Sequence, residues 1–528
     1  MNFFRTFSMS TCMILALLVL GSCRTKENPS KEDATKKSTE LVETYTEKFR
    51  PQFHFSPQEK WMNDPNGLVF HQGVYHLFYQ YYPDDIVWGP MHWGHAVSKD
   101  LVHWEHKPIA LYPDKHGLIF SGSAVVDSEN TSGFGSKENP PLVAIFTYHL
   151  MEGEKAGRTD FQTQGIAYSL DNGDSWTKYE GNPVIGNNGI KDFRDPKVFW
   201  HKESKQWIMI LVAGDHAKFY SSPNLKDWTY LSDFGKDQGA HGGVWECPDL
   251  FKLKVEGTDE EKWMLIISIN PGAPNGGSGT QYFVGDFDGT EFKSAQQDIK
   301  WIDYGTDNYA GVTYNNVPSG ERIFIGWMSN WNYARNTPTE VWRSAMTIPR
   351  SLTLTKEIEQ YFLKSKPWQG INRLAQRVQS EKPLRFEGQI NYRYLNKSLQ
   401  QNLISFSAKS SKALDLLLTN QTGDSLRIAI DPVKEQVFLD RSKTGYVDFE
   451  AGFSNIQSMP FKPTEKINSY EIYLDHSSVE LFIDEGRYVM TGQLFPKEPL
   501  TYLSISAEEG QEIQDFKIQS LKSIWNEK

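Results

Sequence analysis

A chain of 528 residues with 55 Lys and Arg against 66 Asp and Glu carries a net charge of −11. That balance excludes nucleic acid as a partner, because phosphate backbones need a basic surface, and it excludes electrostatic docking on anionic lipid. The length suits two domains with separate cores, and 13% aromatic residues with abundant Gly and Pro suit an all-β protein of many short strands.

In chain order, residues 1–22 read as an export signal. Arg5 lies in a short n-region, and the apolar run from Met13 to Leu20 is too short to span a bilayer. Leu20-Gly21-Ser22-Cys23 resembles the lipobox of bacterial lipoproteins, which implies lipidation of Cys23; an ordinary cleaved signal is the alternative. Residues 23–48, rich in Lys, Glu, Ser and Thr, read as a flexible tether. The expected address is the cell envelope, with membrane contact only through the lipid. The other cysteines are Cys12 and Cys247, so the processed chain has no internal pair to oxidise and depends on core size for stability.

Residues 49–352 consist of short strand-like runs broken by turn chemistry. Val74 to Gln80 is one such run. A weak repeat pairs a polar turn with an aromatic that starts the next strand: Ser98-Lys99-Asp100 with Trp104, Ser169-Leu170-Asp171 with Trp176, Ser222-Pro223-Asn224 with Trp228, and Asp286-Phe287-Asp288 with Phe292. The aromatics are spaced by 72, 52 and 64 residues. Such periods fit four-stranded blades with insertions, and about 300 residues then make about five blades of a β-propeller. A sandwich or irregular barrel is the alternative. Residues 353–376 read as a linker with a short helix, and 377–528 as a β-sandwich. Its strands include Leu414–Leu418, Ser425–Ile430, Tyr470–Leu474 and Val479–Ile483.

Three acids stand in unusual surroundings. Asp64 lies in Trp61-Met62-Asn63-Asp64-Pro65-Asn66-Gly67, Asp195 in Phe193-Arg194-Asp195-Pro196, and Glu246 in Trp245-Glu246-Cys247-Pro248-Asp249. A carboxylate among Trp, Arg and Pro is costly unless it is paired or hydrogen-bonded. Read singly, each has a structural explanation: a turn former, an ion pair, a rim residue. On separate blades of a propeller they can converge at the axis, and two carboxyl groups in different protonation states are what glycoside cleavage requires.

These three motifs resemble those of glycoside hydrolase family 32, the invertase, inulinase and levanase family. Trp93-Gly94-His95-Ala96, Phe120-Ser121-Gly122-Ser123 and, in the second domain, Asp475-His476-Ser477-Ser478-Val479-Glu480-Leu481-Phe482 match it as well, in the same order. The resemblance implies a five-bladed β-propeller followed by a β-sandwich, and a retaining hydrolase of β-D-fructofuranosidic bonds. In it Asp64 would be the nucleophile, Glu246 the acid/base and Asp195 the transition-state stabiliser, with Trp61, Asn63, Gln80, Trp88, Phe120, Ser121, Arg194 and Trp327 contacting substrate. Fructan (levan or inulin) or sucrose is the expected partner, probed from the chain end; endo cleavage, fructosyl transfer and non-catalytic fructan binding are the alternatives. No cofactor is implied. His92, His95, His103 and His106 cluster in sequence, but a strand sends His92 and His95 to opposite faces, so no metal is expected. Cys247 reads as a packing residue, and Gly272 to Gly279 as a flexible connection without phosphate-loop spacing.

Overall fold

The structure, a computed structural model, describes residues 45–380, 383–385 and 398–525. The expected signal, most of the tether and Cys23 lie outside the described residues. The tether ends earlier than position 48. From Tyr45 onward the chain is docked: Tyr45 stacks on Trp525 with ring centroids 3.9 Å apart and bonds His106 at 2.7 Å.

Five sheets follow one another along residues 60–367, each an antiparallel run of strands close in sequence, and the first also takes up Trp342–Arg343 in parallel. The innermost strands are Lys60–His71, Leu118–Val126, Phe193–His201, Val244–Lys254 and Tyr309–Thr313. Second strands such as Leu142–His149 are buried along their whole length because neighbouring blades cover both faces. The four turns of the sequence repeat all fall between the third and fourth strands of the first four blades. In each, the Asp or Asn accepts a backbone N–H three or four residues on: His103 to Asp100, Ser175 to Asp171, Asp227 to Asn224 and Glu291 to Asp288. The repeat is thus a side-chain-closed turn, used once per blade. The ring closes where Val69 bridges Asn315 and where Lys60 and Trp61 pair with Trp342 and Arg343.

Every blade carries a register break in its inner strand: Met62/Pro65 and Asn66/Val69 in the first, then Ile119/Gly122, between Arg194 and Lys197, Glu246/Asp249 and Tyr309/Val312. At four of them a residue adopts positive φ: Gly67 (56°), Asp195 (62°), Cys247 (47°) and Ala310 (52°). Such bulges re-aim side chains, here at one end of the common axis, and non-glycine residues at positive φ mark stored strain.

Residues 353–376 are not a linker. Arg350–Glu357 and Gln360–Pro367 form the outer hairpin of the fifth blade, and a 3-10 turn at Gln369–Leu374 leads directly to the strand Ala375–Ser380 of the second domain. The alternation of Leu352, Leu354 and Leu363 against other blades explains why: these leucines are buried in a cluster with Phe251 and Phe324. Among the described residues the second domain is a sandwich of a seven-stranded and a five-stranded sheet, whose facing residues include Ile404, Leu416, Ile428, Ile472, Leu481 and Ile518.

Buried ion pairs join the two domains. His54 lies between Asp475 (2.7 Å) and Glu480 (2.8 Å), Arg350 joins Glu480 to Asp303 (2.9 Å to the latter), and Arg441 meets Asp307 at 2.6 Å. The glycine-rich stretch at 272–279 is also fixed. Asn275 donates to the carbonyls of Tyr304 and Ser458, and a Cβ on Gly277 would lie 2.0 Å from Asn330 Oδ1. Gly277 serves close approach, while Gly276 supplies a positive φ of 91° in open space.

Candidate active site

The bulged ends of the inner strands surround a cavity of about 430 Å³. Nine of the residues singled out in the sequence line it: Asn63, Asp64, Gln80, Trp88, Phe120, Ser121, Arg194, Asp195 and Glu246. Trp61 and Trp327 do not. Both are fully buried behind the wall, 6.2 Å apart, where the Trp61 indole N–H donates to Asn63 Oδ1 at 2.7 Å. They stand one layer behind the lining, and Trp61 aims Asn63.

Asp64 accepts hydrogen bonds from Ser121 Oγ (2.7 Å) and Asn63 Nδ2 (3.0 Å), one on each carboxylate oxygen. Burial and then the charge of Glu246 push its carboxyl up to about 6. Asp195 accepts the Cys247 backbone N–H at 3.1 Å, and its own N–H donates to Thr147 Oγ1 at 3.0 Å. Burial raises Asp195 to about 7 although the Arg194 guanidinium opposes it. Glu246 Oε1 accepts two bonds from Arg194, at 3.0 and 3.3 Å, and Glu246 Oε2 accepts the Tyr309 hydroxyl. Arg194 also donates to Asp192 at 2.7 Å. Burial alone would weaken its charge, but Glu246, Asp195 and Asp192 outweigh burial and hold it cationic. Cys247 stands between two acids, with Sγ 3.7 Å from both Asp64 Oδ2 and Asp195 Oδ2. Burial and those acids raise its thiol well above the usual range, so it packs as a neutral group.

Sequence reasoning missed several residues in the wall and directly behind it. Tyr309, on the fifth blade, is 1% exposed and reaches Glu246 directly. His149 stacks under Phe120 at 4.2 Å, and burial lowers its imidazole below the usual range although Glu154 opposes it. Asp192, Gln162, Trp331 and Arg335 complete the rim. Only Asp192 gave a signal, as an acid two residues before Arg194. The histidines of the first blade serve packing and turns: His95 stacks on Phe78 at 4.2 Å, His103 bonds Asp100, and His92 bonds the Pro90 carbonyl. Among the described residues there is no group of three or more side chains placed to hold a metal.

Three acids on three blades, one bridged by a guanidinium, in a pocket with aromatic walls, form a unit suited to moving protons and stabilising positive charge on a bound sugar. The model of the glycosyl hydrolases family 32 N-terminal domain matches residues 54–367, and that of the family's C-terminal domain matches 370–522. A levanase of Bacillus subtilis is 46% identical over 91% of this chain and 72% of its own length. An extracellular exo-inulinase of Aspergillus awamori is 41% identical over 91% of this chain and 96% of its own. The crystal structure of exo-inulinase from that organism superposes with a TM-score of 0.83 at 38% identity, covering 91% of this chain and all of the other. A β-fructofuranosidase of Schwanniomyces occidentalis complexed with fructosyl-erythritol gives 0.82 at 33%, covering 92% and 99%. With both domains matched end to end and the acids standing where the propeller blades converge, the chain belongs to glycosyl hydrolases family 32 and is a glycoside hydrolase.

Proposed function

We propose that the protein releases fructose from the non-reducing ends of fructans, levan or inulin, by a retaining double displacement, and also accepts sucrose. The observation that carries this reading is the convergence of Asp64, Asp195 and Glu246 on one blind pocket whose floor is sealed. Below them Lys197 Nζ meets Asp249 at 3.1 Å and donates to the Thr313 carbonyl at 2.6 Å, so a chain can enter end-on but cannot thread through.

Asp64 attacks the anomeric C2 of the terminal fructofuranosyl unit while Glu246, protonated in the Michaelis complex, gives its proton to the leaving glycosyl oxygen. Glu246, now a carboxylate, takes a proton from water, and that water cleaves the fructosyl–Asp64 ester with a second inversion. Ser121 and Asn63 hold both oxygens of Asp64, which fixes the attacking lone pair and favours the ionised form against burial. Arg194 and Tyr309 hold Glu246 from both sides, so its proton travels along a fixed direction. Asp195 carries charge beside the ring hydroxyls and supports the oxocarbenium character of the transition state. Trp88 and Phe120 offer apolar faces to the sugar ring, and Gln80 and Arg194 offer donors.

Chromatography of products from levan, inulin and sucrose tests the assignment. Fructose alone from both polymers is expected; a ladder of oligosaccharides would overturn exo action, and no cleavage of any of the three would overturn the activity itself. Export and lipidation at Cys23 belong to the same reading, supported by the Leu20–Cys23 motif and by relatives named as extracellular enzymes. Cys23→Ser is expected to move the protein from the membrane fraction to the soluble fraction and to abolish labelling by a fatty-acid precursor.

A further inference from the structure

The five inner strands have two ends, and only one carries the acids. Five residues after Ser121, Asp195, Glu246 and Tyr309 come Val126, Trp200, Phe251 and Tyr314, at the far ends of the same strands. At the usual rise per residue the two levels are about 17 Å apart. At the far end they line a second cavity of about 600 Å³. Between the two, the axis is filled by Lys197, Asp249 and Thr313, while Asn315 donates to the carbonyls of Ala124 and Val198. The second cavity is therefore separate from the catalytic pocket and shares none of its residues.

Its chemistry is that of a site for a neutral polyhydroxylated ligand. Trp263 presents a ring to the opening with Lys252 Nζ 5.2 Å from its centre, and Phe251 lies beneath the Arg322 guanidinium at 5.1 Å. Two polar groups of the wall are unsatisfied. Tyr314, 1% exposed, has no hydrogen-bond partner for its hydroxyl among the described residues, and Arg322 Nε likewise has none. Arg322 makes no ion pair within 4.0 Å among the described residues; its one bond runs to the Tyr314 carbonyl at 3.4 Å. Buried donors left unmade are costly, so these two mark a wall that the fold's own contacts do not fully satisfy. An anion is disfavoured, because Asp127, Glu129, Glu203, Glu261 and Glu321 line the same cavity against Lys202, Lys252 and Arg322. Aromatic faces beside mixed charges with a small acidic excess suit a neutral sugar chain.

We propose that this far mouth of the propeller is a second carbohydrate site that holds an internal segment of the fructan whose end is cleaved at the other mouth. The idea rests on the fructan reading above. It keeps chain ends near the enzyme and thereby raises their effective concentration without touching the chemistry. Sucrose, too short to engage both mouths, gains nothing.

The experiment is affinity gel electrophoresis of the intact enzyme in levan or inulin, with the catalytic pocket saturated by fructose, alongside kinetics on polymer and on sucrose. Retardation is expected to persist under fructose, and Trp263→Ala is expected to weaken it and to raise KM on polymer about fivefold, the loss of one ring–sugar contact. Its kcat/KM on sucrose should stay unchanged. Because Trp263 also packs against the blade core, Ser128→Trp, at an exposed rim position, supplies a variant that blocks the mouth from outside. Retardation abolished by fructose, or unchanged in Ser128→Trp, would overturn the second site. Loss of the proposed activity is read separately, as an absence of fructose from sucrose and polymer alike.

Discussion

Two clusters of buried carboxylates in this molecule have opposite electrostatics. At the catalytic mouth, burial and mutual repulsion push Asp64 and Asp195 up to about 6 and about 7, and a single guanidinium is shared among Asp192, Asp195 and Glu246. At the domain junction, burial acts on Asp475 and Glu480 as well, yet His54 and Arg350 hold both below the usual carboxylate range. At the junction every one of these carboxylates touches a cation, while at the catalytic mouth Asp64 touches none among the described residues and one guanidinium serves the other acids. The first arrangement holds two domains together; the second holds groups ready to take up or give away protons.

Substitutions that neutralise one acid should therefore act in opposite directions at the two places. At the catalytic mouth, Asp64→Asn and Glu246→Gln are expected to lower kcat at least about a thousandfold, since in the proposed mechanism each removes a bond-making or proton-carrying group. Circular dichroism should show the fold intact, and a variant of either with ordinary turnover would break the assignment. At the junction, Glu480→Gln leaves Arg350 and His54 without their shared partner and is expected to cost about 3–5 kcal/mol. Scanning calorimetry checks it, and unchanged unfolding would show that the junction is not held by these charges.

Tyr309→Phe sharpens the comparison within the catalytic mouth. It removes one of the two groups that orient Glu246 and leaves Arg194 in place. A hydrogen bond to a charged group is worth about 1.5–3 kcal/mol, so kcat should fall roughly tenfold to a hundredfold with little change in KM. A rise in KM alone would make Tyr309 a binding residue.

How much of this was legible in the sequence differs between the two clusters for a physical reason. Asp64, Asp195 and Glu246 stand in short local motifs, because a bulge that aims a side chain at the axis constrains its immediate neighbours. The blade turns were legible for the same reason, as each Asp or Asn closes onto residues three or four ahead. His54 gave no signal. Its partners are 421 and 426 residues away, and nothing around His54 distinguishes it from a surface histidine. Asp475 and Glu480 were noticed as a motif but not understood, since their role exists only once His54 and Arg350 face them. Trp61 and Trp327 show the complementary error: aromatic type is visible in sequence, but the face it presents is not. The fifth blade was cut short at 352 because its outer hairpin lacks the turn that marks the other four.

The smallest expected effect separates the clusters by pH. A carboxyl raised on folding binds its proton more tightly in the folded chain, so ionising it costs stability as pH climbs from the ordinary value near 4 to the folded one. For Asp64, with folded value about 6, that cost is fully developed above pH 6 and absent below pH 4. It amounts to about 1–3 kcal/mol, the lower end applying because the pocket is open to water. Asp64→Asn, inactive, should then unfold roughly 1–3 °C higher than the parent at pH 7 and no higher at pH 4. The junction runs the other way. Asp475 and Glu480 stabilise above the ordinary carboxylate value and lose that contribution as pH falls below it. His54, which burial would discharge but Asp475 and Glu480 raise to about 9, stabilises below its ordinary 6.5 and loses its contribution as pH rises through 9. His54→Gln should accordingly flatten the alkaline fall in melting temperature between pH 7 and 9 while leaving the pH 4–6 behaviour of the Asp64→Asn pair untouched. An alkaline limb that survives His54→Gln would mean that the junction is not the element that yields there.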